Sequence, residues 1–157
     1  MSENWVGISV ASDQIIFVNL GFSSADAIYV NEDTTWKLQQ GERPKAYAVM
    51  YERICNYLSE NEVNHVVIKA SALSRGGTRM SHLQSAELRG VVTAAVARTN
   101  IPVQVVSKAF VSRNFGERKT DEYVHDEVFW GQQLGDELRK GSREIALLVL
   151  SAKNHDK

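Results

Sequence analysis

The sequence predicts an α/β domain built on a mixed five-stranded sheet, three antiparallel strands followed by parallel ones, with helices on its faces. Three observations predict it. Two β-rich runs, residues 6–10 (VGISV) and 14–20 (QIIFVNL), flank the short polar turn Ala11-Ser12-Asp13, as in a hairpin. From Pro44 onward, helical and extended patterns alternate, which calls for parallel strands joined by crossover helices. The 157 residues, 43% hydrophobic and 24% charged, are enough for one domain with a real core.

In chain order, residues 21–33 read as a loop with a short extended piece at 27–30, and residues 34–38 (TTWKL) alternate as a third strand. Pro44 suits the first turn of a helix. Tyr47, Met50, Tyr51, Ile54 and Leu58 follow at three- and four-residue spacing, one apolar stripe of that helix, with Cys55 beside it as a packing residue. The β-branched run Val66-Val67-Ile68 inside residues 64–70 reads as a buried central strand. Residues 71–80 (SALSRGGTRM) form a polar, glycine-containing loop. A second long helix opens at Ser81-His82, with Leu83, Leu88, Val91, Val92, Ala95 and Val96 inward. Pro102 leads into a strand at 103–106, and a helix from Ser107 carries Phe110, Val111 and Phe115. Residues 121–138 read as one helix, residues 145–150 as a last helical element, and residues 152–157 as a frayed polar tail, which leaves a single domain at 1–151.

No run approaches the roughly 20 apolar residues that cross a bilayer. The first five residues lack the basic and apolar regions of a secretory signal. Cys55 is the only cysteine, so neither an internal disulfide nor a cysteine zinc site can form, and a cytoplasmic setting without membrane contact is expected. The net charge of −1 conceals a polarised distribution. Nine basic residues between Lys69 and Lys119 face only Glu87 and Glu117, so that segment carries +7 and the remainder −8. Such asymmetry marks a nucleic-acid face if the residues converge, and a scattered solvated surface if they do not.

One stretch carries a more specific likeness. Residues 83–121 contain Arg89-Gly90, the alanines Ala94-Ala95, Pro102-Val103 and the segment Gly116 to Lys119. In that order they resemble the second half of RuvC-type Holliday-junction resolvases, members of the ribonuclease H-like superfamily. Residues 6–12 (VGISVAS) resemble the family's first strand, which reads apolar-Gly-Ile-Asp-Pro-Gly-Ser. The likeness spans about three quarters of the chain, and the first half also resembles a group of small bacterial proteins of the same fold. It implies a ribonuclease H-like fold with a substrate groove for branched DNA. It also implies a site where carboxylates from the first strand, the fourth strand and the last helix hold two magnesium ions.

The residues depart from that site. Ser9 stands at the first-strand aspartate, Lys69 at the fourth-strand glutamate, and Gly141 where one acid of the last helix would fall. Glu144 is the one acid that matches. A hydroxyl is a poor ligand for a hard divalent ion and an ammonium repels it. The resemblance therefore implies no metal, no other cofactor and a vestigial site at Ser9, Lys69 and Glu144. Lys69 either pairs with Glu144 or points to solvent. Asp13, the nearest acid in the first hairpin, is a turn residue first and a metal ligand second.

Remaining signals are weaker. His65, His82, His125 and His155 lack zinc spacing, and His125-Asp126 reads as a solvated helix face. Ser71, Ser74 and Ser81 lack a nucleophile-elbow context. The run 74–79 (SRGGTR) has no phosphate-loop lysine, yet its arginines and backbone amides suit phosphate. Phe129 and Trp130 are adjacent on a helix: either one is exposed for a protein interface, or both share one core. The expectation is a catalytically inactive protein that binds structured DNA through Arg75, Arg79, Arg89, Lys108, Arg113, Arg118 and Lys119, as a homodimer or a complex subunit. Two other readings stand beside it. One is a protein-interaction module without nucleic acid; the other is a nuclease whose site is rebuilt from Glu144, Asp13, Asp121 or Asp136.

Overall fold

Val6 and Ile8 point to one side of β1 (Glu3–Val10) and Trp5 and Gly7 to the other, and this alternation sets where the remaining elements pack. The computed structural model of the chain describes residues 2–71, 76–77 and 79–156. Its strands β1, β2 (Gln14–Phe22), β3 (Ile28–Lys37), β4 (His65–Lys69) and β5 (Val103–Val106) form one sheet in the order β3-β2-β1-β4-β5. The first three pair antiparallel, whereas β4 runs parallel to β1 and β5 parallel to β4. This is the mixed sheet that the sequence predicts.

One face carries α1 (Arg43–Glu60) and α2 (Met80–Arg98). Ala46, Met50, Ile54 and Leu58 of α1, each four residues after the last, are buried together with Leu88, Val92, Ala95 and Val96 of α2 over Val6, Ile8, Phe17 and Ile68. Burying one such aliphatic or aromatic side chain contributes ~1.5–3 kcal/mol. Leu83, expected inward, is half exposed because it lies one turn before the helix reaches the sheet core. The other face carries α3 (Ala109–Asn114), α4 (Thr120–Val124), α5 (Glu127–Leu134), the 3-10 turn Lys140–Ser142 and α6 (Arg143–His155).

Several boundaries differ from the sequence reading. β3 begins at Ile28 and is ten residues long, because its polar middle pairs with β2 through a bulge at Asn19 and Leu20. Residues 121–138 form two helices rather than one. Asp126 ends the first and caps the second by accepting the Phe129 N–H at 3.0 Å, and Gly135, at φ 64°, ends the second before Leu138. α6 starts two residues earlier than expected and runs on to His155, over residues expected to fray. Ala152 is fully buried there, and Lys153 reaches Glu3 at 3.1 Å, so this segment is tied to β1.

Candidate functional site

The strand register builds the site. Ile8 pairs with Ile68 in the parallel β1–β4 ladder, so the next residues, Ser9 and Lys69, stand side by side at the carboxyl ends of their strands. Both belong to the face that α6 covers. α6 reaches the sheet closely because β1 has a glycine at its crossing point: a Cβ on Gly7 would sit 2.6 Å from Val149 Cγ2 and 2.9 Å from Ile145 Cγ1. The first turn of α6 then delivers Glu144 to the strand ends.

Glu144 Oε1 is buried and touches the Lys69 ammonium, an ion pair rather than an aligned hydrogen bond. Glu144 Oε2 lies 3.8 Å from Lys108 Nζ, which also sits 3.5 Å from Asp121. Two ammonium groups and two carboxylates thus alternate across the end of β4, β5, α4 and α6. Among the described residues, no three His, Cys, Asp or Glu side chains converge in a metal-ligating group. The donor set at this point does not fit a pair of divalent cations: one carboxylate is already engaged by an ammonium, and the neighbouring position on β1 is a hydroxyl.

The other predicted positions divide into three groups. Arg89 and Arg118 are committed within the fold. Arg89 donates to the Lys69 carbonyl at 3.2 Å and to the Ser71 hydroxyl, and burial lowers its pKa from the ordinary value. Arg118 pairs with Asp126 at 3.0 Å and lies over the Tyr123 ring at 4.5 Å. Arg79 and Lys119 are exposed, at the starts of α2 and α4, and neither joins an ion pair among the described residues. Arg113 is exposed too, but it lies beside β5 with His155, at the opposite end of α6 from Glu144. Arg75 lies outside the described residues, as do Ser74 and Thr78 of the glycine-containing run.

Asp13 is exposed in the first hairpin, and Asp136 is exposed beyond α5. Neither joins Glu144, while Asp121 meets it only through Lys108. The Phe129–Trp130 pair shares one core. Trp130 is buried with its indole N–H on the Tyr123 carbonyl at 2.9 Å, and Phe129 packs with Phe115 and Tyr123, so the exposed-aromatic interface is corrected. His125 is exposed at the end of α4, a solvated position.

Two features have no signal in the sequence. Lys108 reads as a phosphate ligand, but the turn after β5 brings it to Glu144. Asp33 of β3 accepts from the Arg139 backbone and guanidinium (2.7 and 2.9 Å) and from the Ser142 hydroxyl (2.5 Å), across more than a hundred residues. That clamp fixes the turn before α6. Arg143, nearly buried, is held by Glu127 at 2.8 Å. Together these contacts set the position from which Glu144 projects.

No protein-family model and no curated protein sequence matches the chain. Solved structures do. Thermus thermophilus RuvC in complex with a Holliday junction superposes with a TM-score of 0.78 at 12% identity, over 99% of this chain and 95% of that one. A second Thermus thermophilus RuvC structure gives 0.74 at 14% identity, over 98% and 95%. The yeast mitochondrial Holliday junction resolvase gives 0.64 at 13% identity, over 98% of this chain and 78% of that one. The chain therefore has the RuvC-like, ribonuclease H-like fold along nearly its whole length.

Proposed function

We infer that the chain is a non-cleaving nucleic-acid-binding protein of the RuvC-like fold, which holds structured DNA, as a homodimer or as a subunit of a larger complex in the cytoplasm. The contact between Lys69 and Glu144 carries this reading. An ammonium fills the place of an anionic ligand and Glu144 balances its charge, so the strand ends lack the free carboxylates that metal-dependent cleavage would need. Lys69 and Lys108 lie inside that end of the sheet, Lys119 precedes Thr120, whose hydroxyl donates to the Lys108 carbonyl, and Arg79 is exposed at the start of α2. Exposed ammonium and guanidinium groups around the carboxyl ends of parallel strands suit a polyanion. The similarity to a resolvase solved with a Holliday junction supports a branched substrate.

The test is binding of a labelled four-way junction, compared with duplex and single strands, over a salt series. The reading expects junction binding that weakens steeply with salt, loses affinity in Lys119→Glu and Arg79→Glu, and leaves the junction uncut in Mg²⁺ or Mn²⁺. Absence of binding at low salt refutes DNA binding. Metal-dependent cleavage that disappears in Glu144→Gln refutes the non-cleaving part and favours a rebuilt nuclease site.

A further inference from the structure

The two edges of the sheet differ. β3, at one edge, carries Glu32, Asp33 and Lys37 and is bent where its pairing with β2 slips, all features that discourage a further strand. β5, at the other edge, pairs with β4 alone and reads Val-Gln-Val-Val, with no charge, no proline and no bulge. The Val66 and Ala70 N–H groups donate to the Pro102 and Val106 carbonyls, so the even-numbered residues face β4. By alternation the N–H and C=O groups of Val103 and Val105 point outward, with no strand among the described residues to receive them. Val105 is also 52% exposed, an apolar side chain on an open edge.

A groove runs along this edge, lined by Gln104, Val105, Phe110, Arg113 and His155. Its chemistry is that of an incomplete site. The Gln104 carboxamide oxygen is buried and has no hydrogen-bond donor among the described residues. A buried acceptor of that kind is costly to leave unmet, and an incoming donor relieves it. Arg113 is exposed and joins no ion pair among the described residues. The edge therefore offers backbone pairing, an apolar position at Val105, and on the α6 side an acceptor and a guanidinium. A second copy paired edge to edge would set Arg113 near its own equivalent. An acidic strand meets the opposite charge instead.

We propose that β5 is a docking edge for an extended acidic peptide of a partner protein, added as a sixth strand. The partner's alternate residues fall on opposite faces: apolar ones beside Val105, and carboxylate or hydroxyl ones beside Arg113 and Gln104. Glu144 and His155 lie eleven residues apart on α6, about 16 Å along the helix axis, so this edge is separate from the lysine-lined strand ends and does not depend on DNA binding.

The test uses the full chain and a fluorescein-labelled octapeptide that alternates valine with glutamate and threonine in turn. Saturable binding by anisotropy is expected. It is lost when the peptide's alternate backbone amides are N-methylated, lost in Val105→Pro, and weakened about ten-fold or more in Arg113→Glu. Val105→Pro removes an N–H that β4 does not use, so its thermal melting curve should stay close to that of the parent chain. If that variant fails to fold, Arg113→Glu and the N-methylated peptide decide alone. No saturation up to about 1 mM, or equal binding of the N-methylated peptide, overturns the proposal.

Discussion

Lys69 and Glu144 meet as ammonium and carboxylate at the point where β4 ends and α6 begins, each with about a quarter to a third of its side chain still open to water. Their partial burial makes the pair matter more to stability than a surface ion pair does. Removing Lys69 leaves Glu144 Oε1 buried, with Lys108 3.8 Å from the other oxygen as the remaining cation among the described residues. Lys69→Met should cost about 1–3 kcal/mol in urea unfolding, and the double variant Lys69→Met/Glu144→Gln less than the sum of the two single changes. Additive effects would show that the two charges do not interact.

The same pair engages the carboxylate that a cation at the strand ends would need, and that too can be checked. Ser9→Asp with Lys69→Glu places three carboxylates, with Glu144, at the neighbouring ends of β1, β4 and α6. Mn²⁺ should then raise the melting temperature of the double variant and leave that of the parent chain unchanged. A site filled at a hundred times its dissociation constant adds about 2.7 kcal/mol. No metal-dependent shift in the variant would mean that residues 9, 69 and 144 do not share one coordination sphere.

Much of the fold was legible because it rests on periodicity. The β-rich runs at residues 6–10 and 14–20 and the three- and four-residue spacing from Tyr47 to Leu58 follow local backbone rules, and each settled a strand or helix within a few residues. The helix break at Asp126 was harder, since an aspartate on a polar face and an aspartate capping a new helix look alike until its carboxylate meets the Phe129 N–H. The Lys69–Glu144 contact could be anticipated only because each residue aligned with a known position. Lys108 could not, because its role depends on where the turn after β5 aims it. Arg89, Arg113 and Arg118 read alike in sequence. One supports the end of β4, one flanks the open edge and one stacks on Tyr123.

Gly7 should be intolerant of any side chain. Its Cβ would fall 2.6 Å from Val149 and 2.9 Å from Ile145, with the Ile145 carbonyl 3.3 Å away, and α6 is packed too tightly along its length to yield freely. Gly7→Ala is expected to destabilise the chain by about 1–3 kcal/mol, and Val149→Ala in the same chain to recover part of the loss. Because the displaced helix carries Glu144, the variant should also weaken the coupling between Lys69 and Glu144. An unchanged denaturation midpoint would show that the helix has room to shift.

Acid should unfold the chain in part through Glu127. The Arg143 guanidinium, and after it Lys140, holds this carboxyl down to about 2 from an ordinary 4.5. A folded-state value below the unfolded one means stability that is present above about 4.5 and is lost as pH falls through about 2. Asp126, held low first by the Phe129 N–H and then by Arg118, loses its contribution in the same direction. Glu127 is itself largely exposed, so salt will screen part of its effect; what it neutralises is Arg143, which is nearly buried. Glu127→Gln should therefore lower stability at neutral pH and flatten its decline between about pH 4.5 and pH 2 without abolishing it, since Asp126 still titrates. Urea midpoints of the two proteins at several pH values measure this. Parallel pH profiles would show that Arg143 does not rely on Glu127 for its counter-charge.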